Sequence, residues 1–150
     1  MDLSDDWVVG FTDGEGCFYV GITKHPEMTV GYQVLPEFRI VQHERDLQVL
    51  YALKRFFKGG VVRRNHEDRF ELRIRKLESL VKVVEFFERH PLKTKKAVDF
   101  KRFARIVHWM REGKHLTREG LERIAVLAAE MNTGIKPTAE SVLESLRSAG

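Results

Sequence analysis

The chain has 150 residues, enough for one buried core or two small lobes and too few for several domains. Its 43% hydrophobic content and ten phenylalanines exclude a disordered chain, no apolar run approaches the ~18 residues of a membrane span, and one cysteine, Cys17, excludes an internal disulfide and a multi-cysteine zinc site. Net charge is +4, but residues 54–76 carry nine Lys/Arg against three acids and residues 89–105 carry seven against one, a bias that favours a polyanion, most simply nucleic acid, as partner.

The acidic start MDLSDDW argues against a secretory or mitochondrial signal. With the single cysteine, it leads us to expect an intracellular protein of the cytoplasm, nucleoid or an organelle matrix. Residues 5–15 read as a short helix opened by acids and closed at GEG, with Gly16 expected in the left-handed conformation that ends helices. Gly10 and Gly14 are four apart and share one side of that helix. Small residues there suit a helix tucked against the chain's own core, or two such helices packed against each other. The second alternative needs a second subunit, because the motif occurs once. Trp7, Gly10, Phe11 and Gly14 are the dimer-interface candidates.

The end of this helix also has chemistry in it. Its last carbonyls lack intrahelical partners and its dipole is negative there. The Gly14 carbonyl and the Glu15 carboxylate are hard oxygen donors of the type that suits Mg²⁺, which shares its shell with water and phosphate.

Residues 17–24 read as a strand, HPEMTVG as a turn or loop, and residues 32–42 as a second strand, bent or at a sheet edge because of Pro36. From about Asp46 the spacing becomes helical, through Leu47, Leu50, Leu53, Phe56 and Phe57, and stops at Gly59-Gly60. VVRRN and RFELRIRK flank HED as a hairpin, and residues 77–89 form an amphipathic helix ending before Pro91. Residues 95–112 present Ala97, Val98, Phe100, Phe103, Ala104, Val107 and Met110 on one face. A further helix starts at Thr117 with Gly120 inside it, and a last one takes Thr138 as its N-cap. The pattern predicts antiparallel pairs and an α+β fold.

In RFELRIRK, Phe70, Leu72 and Ile74 alternate with Arg69, Glu71, Arg73 and Arg75, so one face is apolar and the other cationic. Arg63 and Asn65 extend the cationic face on the paired strand, and Arg39 lies on the second strand. Three arginines on one face of one strand repel unless something negative lies there. Arg and Asn are also the side chains that read guanine and adenine edges. Nucleic-acid contacts are therefore expected from Lys24, Gln33, Arg39, Arg63, Asn65, Arg69, Glu71, Arg73 and Arg75.

The stretch VVGFTDGEG, residues 8–16, resembles the motif of the LAGLIDADG homing endonucleases. It has the motif's glycines, apolar first half and both acids, with Glu15 where Asp is more usual. The predicted element order agrees with that family's core across nearly the whole chain. The resemblance implies an αββαββα core with an antiparallel saddle-like sheet and added C-terminal helices, in one domain over residues 1–150. It further implies a homodimer that cuts double-stranded DNA with Mg²⁺, for which Mn²⁺ can substitute. The site would be pseudo-palindromic and about 20 base pairs long, from strands of 8–10 residues at ~3.3 Å each. Glu15 matches the family's acidic metal ligand, Gly14 the carbonyl beside it, and Asp13 the motif's usually structural acid. Gln42 falls where a polar residue orders active-site water. Lys95 falls where a lysine lies near the scissile phosphate, with Lys96 as an adjacent rival. Arg45 is the nearest match to an assisting arginine. The alternatives on the same fold are an intron-RNA maturase or splicing factor, and a DNA-binding module without catalysis.

Overall fold

The computed structural model describes residues 1–131 and 136–148, the side chains of 136–140 excepted. The elements follow the order α1 (Asp5–Glu15), β1 (Gly16–Lys24), β2 (Tyr32–His43), α2 (Leu47–Phe57), β3 (Val61–His66), β4 (Arg69–Ile74), α3 (Leu77–Arg89), α4 (Lys96–Arg111), α5 (Arg118–Glu130) and α6 (Lys136–Ser148). The four strands form one sheet in the order β1-β2-β4-β3. This is the expected α+β core followed by extra helices. Among the described residues no helix is long and apolar enough to cross a membrane.

The chain divides into two compact units, Met1–Phe18 with Glu37–Ala97, and Tyr19–Pro36 with Val98–Gly150. The first is built on a phenylalanine cluster. Phe38 of β2 lies 5.1 Å from Phe18 and 5.6 Å from Phe57, and Phe86 lies 5.0 Å from Phe87 and 5.1 Å from Phe56, centroid to centroid. Such pairs add about 0.5–1.5 kcal/mol each beyond their burial. Ile40, Leu72 and Ile74 complete the apolar sheet face, fully buried. The period-two pattern of β4 therefore points its apolar residues inward, as read.

The second unit is helical apart from its strand segments. Phe100, Phe103, Ile106, Val107 and Met110 of α4, Leu121, Ile124, Ala125 and Ala128 of α5, and Val142, Leu143 and Leu146 of α6 are buried. Val98, expected on the inward face of α4, is exposed, and Ile106 takes an inward position instead. Thr117 caps α5, its Oγ1 accepting the Gly120 N–H at 3.1 Å. Gly120 is required by close approach: a Cβ there would lie 1.8 Å from the Lys114 carbonyl oxygen. The expected cap at Thr138 lies outside the residues whose side chains are described, and α6 begins at Lys136, two positions earlier.

Pro36 corrects one expectation. Strand β2 is an inner strand, between β1 and β4. Proline is tolerated because β4 pairs only with Phe38–His43, so no bond to β4 is asked of Pro36. The end of α2 differs too, since the left-handed residue is Lys58 (φ 55°), one before the glycine pair.

Candidate active site and nucleic-acid interface

Helix α1 starts where Ser4 Oγ accepts the Trp7 N–H at 3.2 Å, with Asp5 and Asp6 favouring its positive end. Val8, Val9 and Thr12 are buried. The opposite face presents Trp7, Gly10, Phe11 and Gly14. Trp7 is 40% exposed and stacks on Phe11 with centroids 4.6 Å apart. A Cβ built on Gly10 or Gly14 would meet nothing within 4 Å. Packing inside this chain therefore does not require either glycine.

The helix ends on Glu15, exposed, with no basic residue in the last turn. The carbonyl end of the helix and the carboxylate are thus uncompensated along α1. Gly16 is extended (φ −77°) rather than left-handed; it is glycine because a Cβ would sit 2.6 Å from Thr12 Cγ2. Among the described residues no three His, Cys, Asp or Glu side chains converge as a metal-binding group.

Asp13 has a different use. Its Oδ2 accepts the Lys93 N–H at 2.9 Å, and its Oδ1 accepts the Thr94 N–H at 3.1 Å and the Thr94 hydroxyl at 2.8 Å. Burial raises this carboxyl's pKa, but the hydrogen bonds from Lys93 and Thr94 outweigh it and hold the group below the ordinary aspartate value. Both oxygens are engaged, which is the structural role. The turn it grips carries three lysines. Lys93 Nζ donates to the Pro91 carbonyl at 2.8 Å. Lys95 is exposed and makes no hydrogen bond or ion pair among the described residues, and Lys96 is half-buried at the start of α4.

Gln42 is half-buried near the end of β2, opposite Phe70. Strand β1 begins directly after Glu15 and returns through a turn into its neighbour β2, so the start of β1 and the end of β2 lie at one end of the sheet. Gln42 and Glu15 thereby belong to the same end. Next to Gln42, His43 Nε2 lies 2.9 Å from Asp68 Oδ2, and its Nδ1 accepts the Arg45 N–H at 3.1 Å. The Arg45 side chain is exposed.

The outer sheet face follows from the register. Arg39 pairs with Arg73, which faces Val61; Glu71 faces Arg63; His43 faces Arg69. Asn65 lies at an irregularity between Arg64 and His66. Two of the face's residues are buried acids, Glu37 and Glu71, each 4% exposed. Arg75 Nε donates to Glu37 Oε1 at 2.8 Å, and Arg39 lies 3.9 Å from Oε2. Asn65 Nδ2 donates to Glu71 Oε1 at 2.6 Å, and Arg63 lies 3.7 Å from Oε2. The arginines' repulsion is therefore relieved in part by the chain's own carboxylates, and Glu71 is an anchor for its neighbours. Arg73 has no partner among the described residues. Lys24, exposed, and Gln33, half-buried, belong to the second unit.

The family model for LAGLIDADG endonucleases matches residues 8–107, from α1 through most of α4. The chain belongs to the LAGLIDADG endonuclease family. It is similar to the homing endonuclease I-TnaI, with 65% identity and a TM-score of 0.95, over 97% of this chain and 99% of that one. The structure of I-SmaMI bound to uncleaved DNA in the presence of calcium ions gives 32% identity and a TM-score of 0.91, over 95% of this chain and 49% of that one. A probable intron-encoded endonuclease 2 of Neurospora crassa is 33% identical over 147 residues, which is 96% of this chain and 32% of the relative. The chain thus spans only about a quarter to a third of the length of the curated relatives it matches first.

Two features of this region depend on partners distant in the sequence. One is Thr94, whose available signal is its place just before a lysine-rich helix start, a cap-like position. The other is Glu37, buried although it stands in a strand with a polar alternate position. An acid in VLPEFRI, surrounded by apolar side chains, was the available sign that it needed a cationic partner.

Proposed function

We propose that this LAGLIDADG chain is a homodimeric, Mg²⁺-dependent, sequence-specific endonuclease of double-stranded DNA. Its site would be pseudo-palindromic and about 20 base pairs long, with 5′-phosphate and 3′-hydroxyl products. The observation that carries the reading is α1: an open face of two glycines and two stacked aromatics, ending on a lone exposed carboxylate. Two copies meeting there bring Glu15 and the partner's Glu15 to one symmetry axis. The DNA-bound structure of I-SmaMI, about twice as long as this chain, supports a working unit with two halves.

The Gly14 carbonyl and the Glu15 carboxylate fit Mg²⁺, being hard oxygens at an uncompensated helix end. When bound, the ion supplies positive charge to the phosphate and eases deprotonation of a water. Gln42 hydrogen-bonds the attacking water and holds it in line. Lys95 neutralises charge that builds on the phosphate or the leaving oxygen. Asp13 keeps the lysine turn in place. The outer sheet face, five arginines against two anchored acids, lies on the bases and backbone of a half-site.

The test is incubation with a random-sequence duplex library in Mg²⁺, followed by sequencing of the ends and a mass measurement on the product complex. One two-fold-symmetric cut motif from a dimer is expected. Tight binding without any cleavage would replace the enzyme with a binding module. Because relatives are named as intron-encoded, a structured intron RNA belongs in the same assay, and preference for it over every duplex would favour the maturase reading.

A further inference from the structure

The end of the sheet away from Glu15 and Gln42 holds a second cationic feature. A cleft of about 410 Å³ is lined there by Lys58, Gly59, Gly60, Val61, Arg73, Arg75, Lys76 and Ser79. Two of its four cations are already met by acids of this chain. Arg75 donates to Glu37 at 2.8 Å, and Lys76 Nζ lies 2.7 Å from Glu78 Oε1 in a fully exposed pair of little strength. Lys58 and Arg73 have no partner among the described residues. The cleft therefore carries surplus positive charge with nothing of its own to neutralise it.

Its remaining lining is suited to a small oxyanion. A side chain at residue 59 would come within 2.9 Å of Ser79 Oγ, so Gly59 leaves that hydroxyl accessible. Helix α3 starts at this point without a side-chain cap; its Ser79 N–H already donates to the Lys76 carbonyl at 3.0 Å, so the helix adds only its positive end to the cleft's charge. Lysines act as point charges on phosphate, whereas base edges are read by paired donors. Arg73 and Arg75 continue directly into the cationic sheet face.

We propose that this cleft seats one backbone phosphate of duplex DNA at the outer part of each half-site. The proposal rests on the DNA-binding reading above. From Arg69 to Arg75 is six residues along the chain, or ~20 Å at ~3.3 Å each. At ~3.4 Å per base pair the phosphate lies about six base pairs outward from the end of the sheet that bears Gln42. Such a contact fixes register on the duplex and carries no sequence information.

The experiment measures binding of Lys58→Gln, Lys76→Gln and Glu78→Gln chains to a duplex longer than the ~20-base-pair site, across a series of KCl concentrations. Each lysine variant is expected to flatten the plot of log K against log salt by about 0.9, with the order of preference among sequences unchanged. Glu78→Gln is expected to tighten binding several-fold, a gain that misfolding cannot mimic. Wild-type slopes in both lysine variants, or a changed preference at one base position, overturn the proposal while leaving DNA binding intact. A wild-type chain that binds no duplex overturns the DNA reading as well. In a separate arm, inorganic phosphate is titrated against the backbone amide signals of the cleft residues Lys58, Gly59, Gly60 and Lys76. Saturation there combined with unaltered duplex slopes assigns the cleft to free phosphate and likewise overturns the proposal.

Discussion

Asp13 and Thr94, 81 residues apart in the chain, are joined twice, since Asp13 Oδ1 accepts both the backbone N–H and the hydroxyl of Thr94, at 3.1 and 2.8 Å. The link ties the end of α1 to the turn that starts α4. Glu15 and Lys95 come from distant stretches, and this carboxylate holds their backbones to each other. Thr94→Val removes one hydrogen bond, for ~1 kcal/mol of stability, and Asp13→Asn costs more, ~1–3 kcal/mol, because a charged acceptor is lost. Single-turnover cleavage should fall by about 10²-fold in Asp13→Asn, through misplacement of the lysine turn. DNA affinity should stay near wild type. An unchanged rate would mean that the turn need not be held.

Glu15→Gln keeps the shape of α1 and removes its one terminal charge. Cutting should be abolished and duplex binding spared, as read by a gel assay beside an anisotropy titration. Chelation of divalent ions should reproduce the same split in the wild-type chain.

Gly10→Leu adds a side chain where the chain itself has open space within 4 Å. The monomer fold should be unharmed, and even stabilised by ~0.5–1 kcal/mol, because glycine is unfavourable within a helix. The mass in solution should nevertheless halve and cleavage should stop. A dimer of wild-type affinity would move the subunit contact away from α1.

Arg73→Ala should relax discrimination at one base position by ~1–3 kcal/mol, since this arginine's side chain has no partner among the described residues. Glu71→Gln should act on Arg63 and Asn65 together and blur more than one position. Selection from a randomised duplex library measures both. A uniform loss of affinity for all sequences would make either effect a matter of backbone contact.

The pH dependence has two windows. Burial holds the His115 pKa below its ordinary 6.5, and its buried Nδ1 has no partner. The folded chain thus favours the neutral ring, and stability that is full above pH 6.5 is lost as pH falls below it. Asp13 contributes stability above the ordinary carboxylate range, and loses it as pH falls through its lowered pKa. Urea midpoints between pH 7 and pH 5 should decline in the wild type and flatten in His115→Gln.

Most of the fold was legible because its signals are local. Acids and a serine open α1, the alternation of RFELRIRK sets β4, and the spacing of residues 77–89 sets α3, all as observed. Glu15 and its helix end were legible for the same reason. What escaped depends on tertiary partners. Pro36 reads as an edge residue until the extent of β4 pairing is known. Gly16 looks like a left-handed cap until Thr12 is seen beneath it. The burial of Glu37 and Glu71 depends on arginines and an asparagine brought alongside by register, and the Asp13–Thr94 link spans half the chain.

Those two buried acids carry a consequence for anyone who would retarget the protein. Glu37 is shared by Arg39 of β2 and by Arg75 just after β4, and Glu71 by two residues of β3. Replacing one arginine strips a buried carboxylate of some of its neutralisation at Glu37, and of its one cationic partner among the described residues at Glu71, and lets the remaining neighbour swing. Preferences at adjacent base pairs will then show epistasis, with single-substitution effects failing to sum. New specificities must be selected in blocks that include the acid.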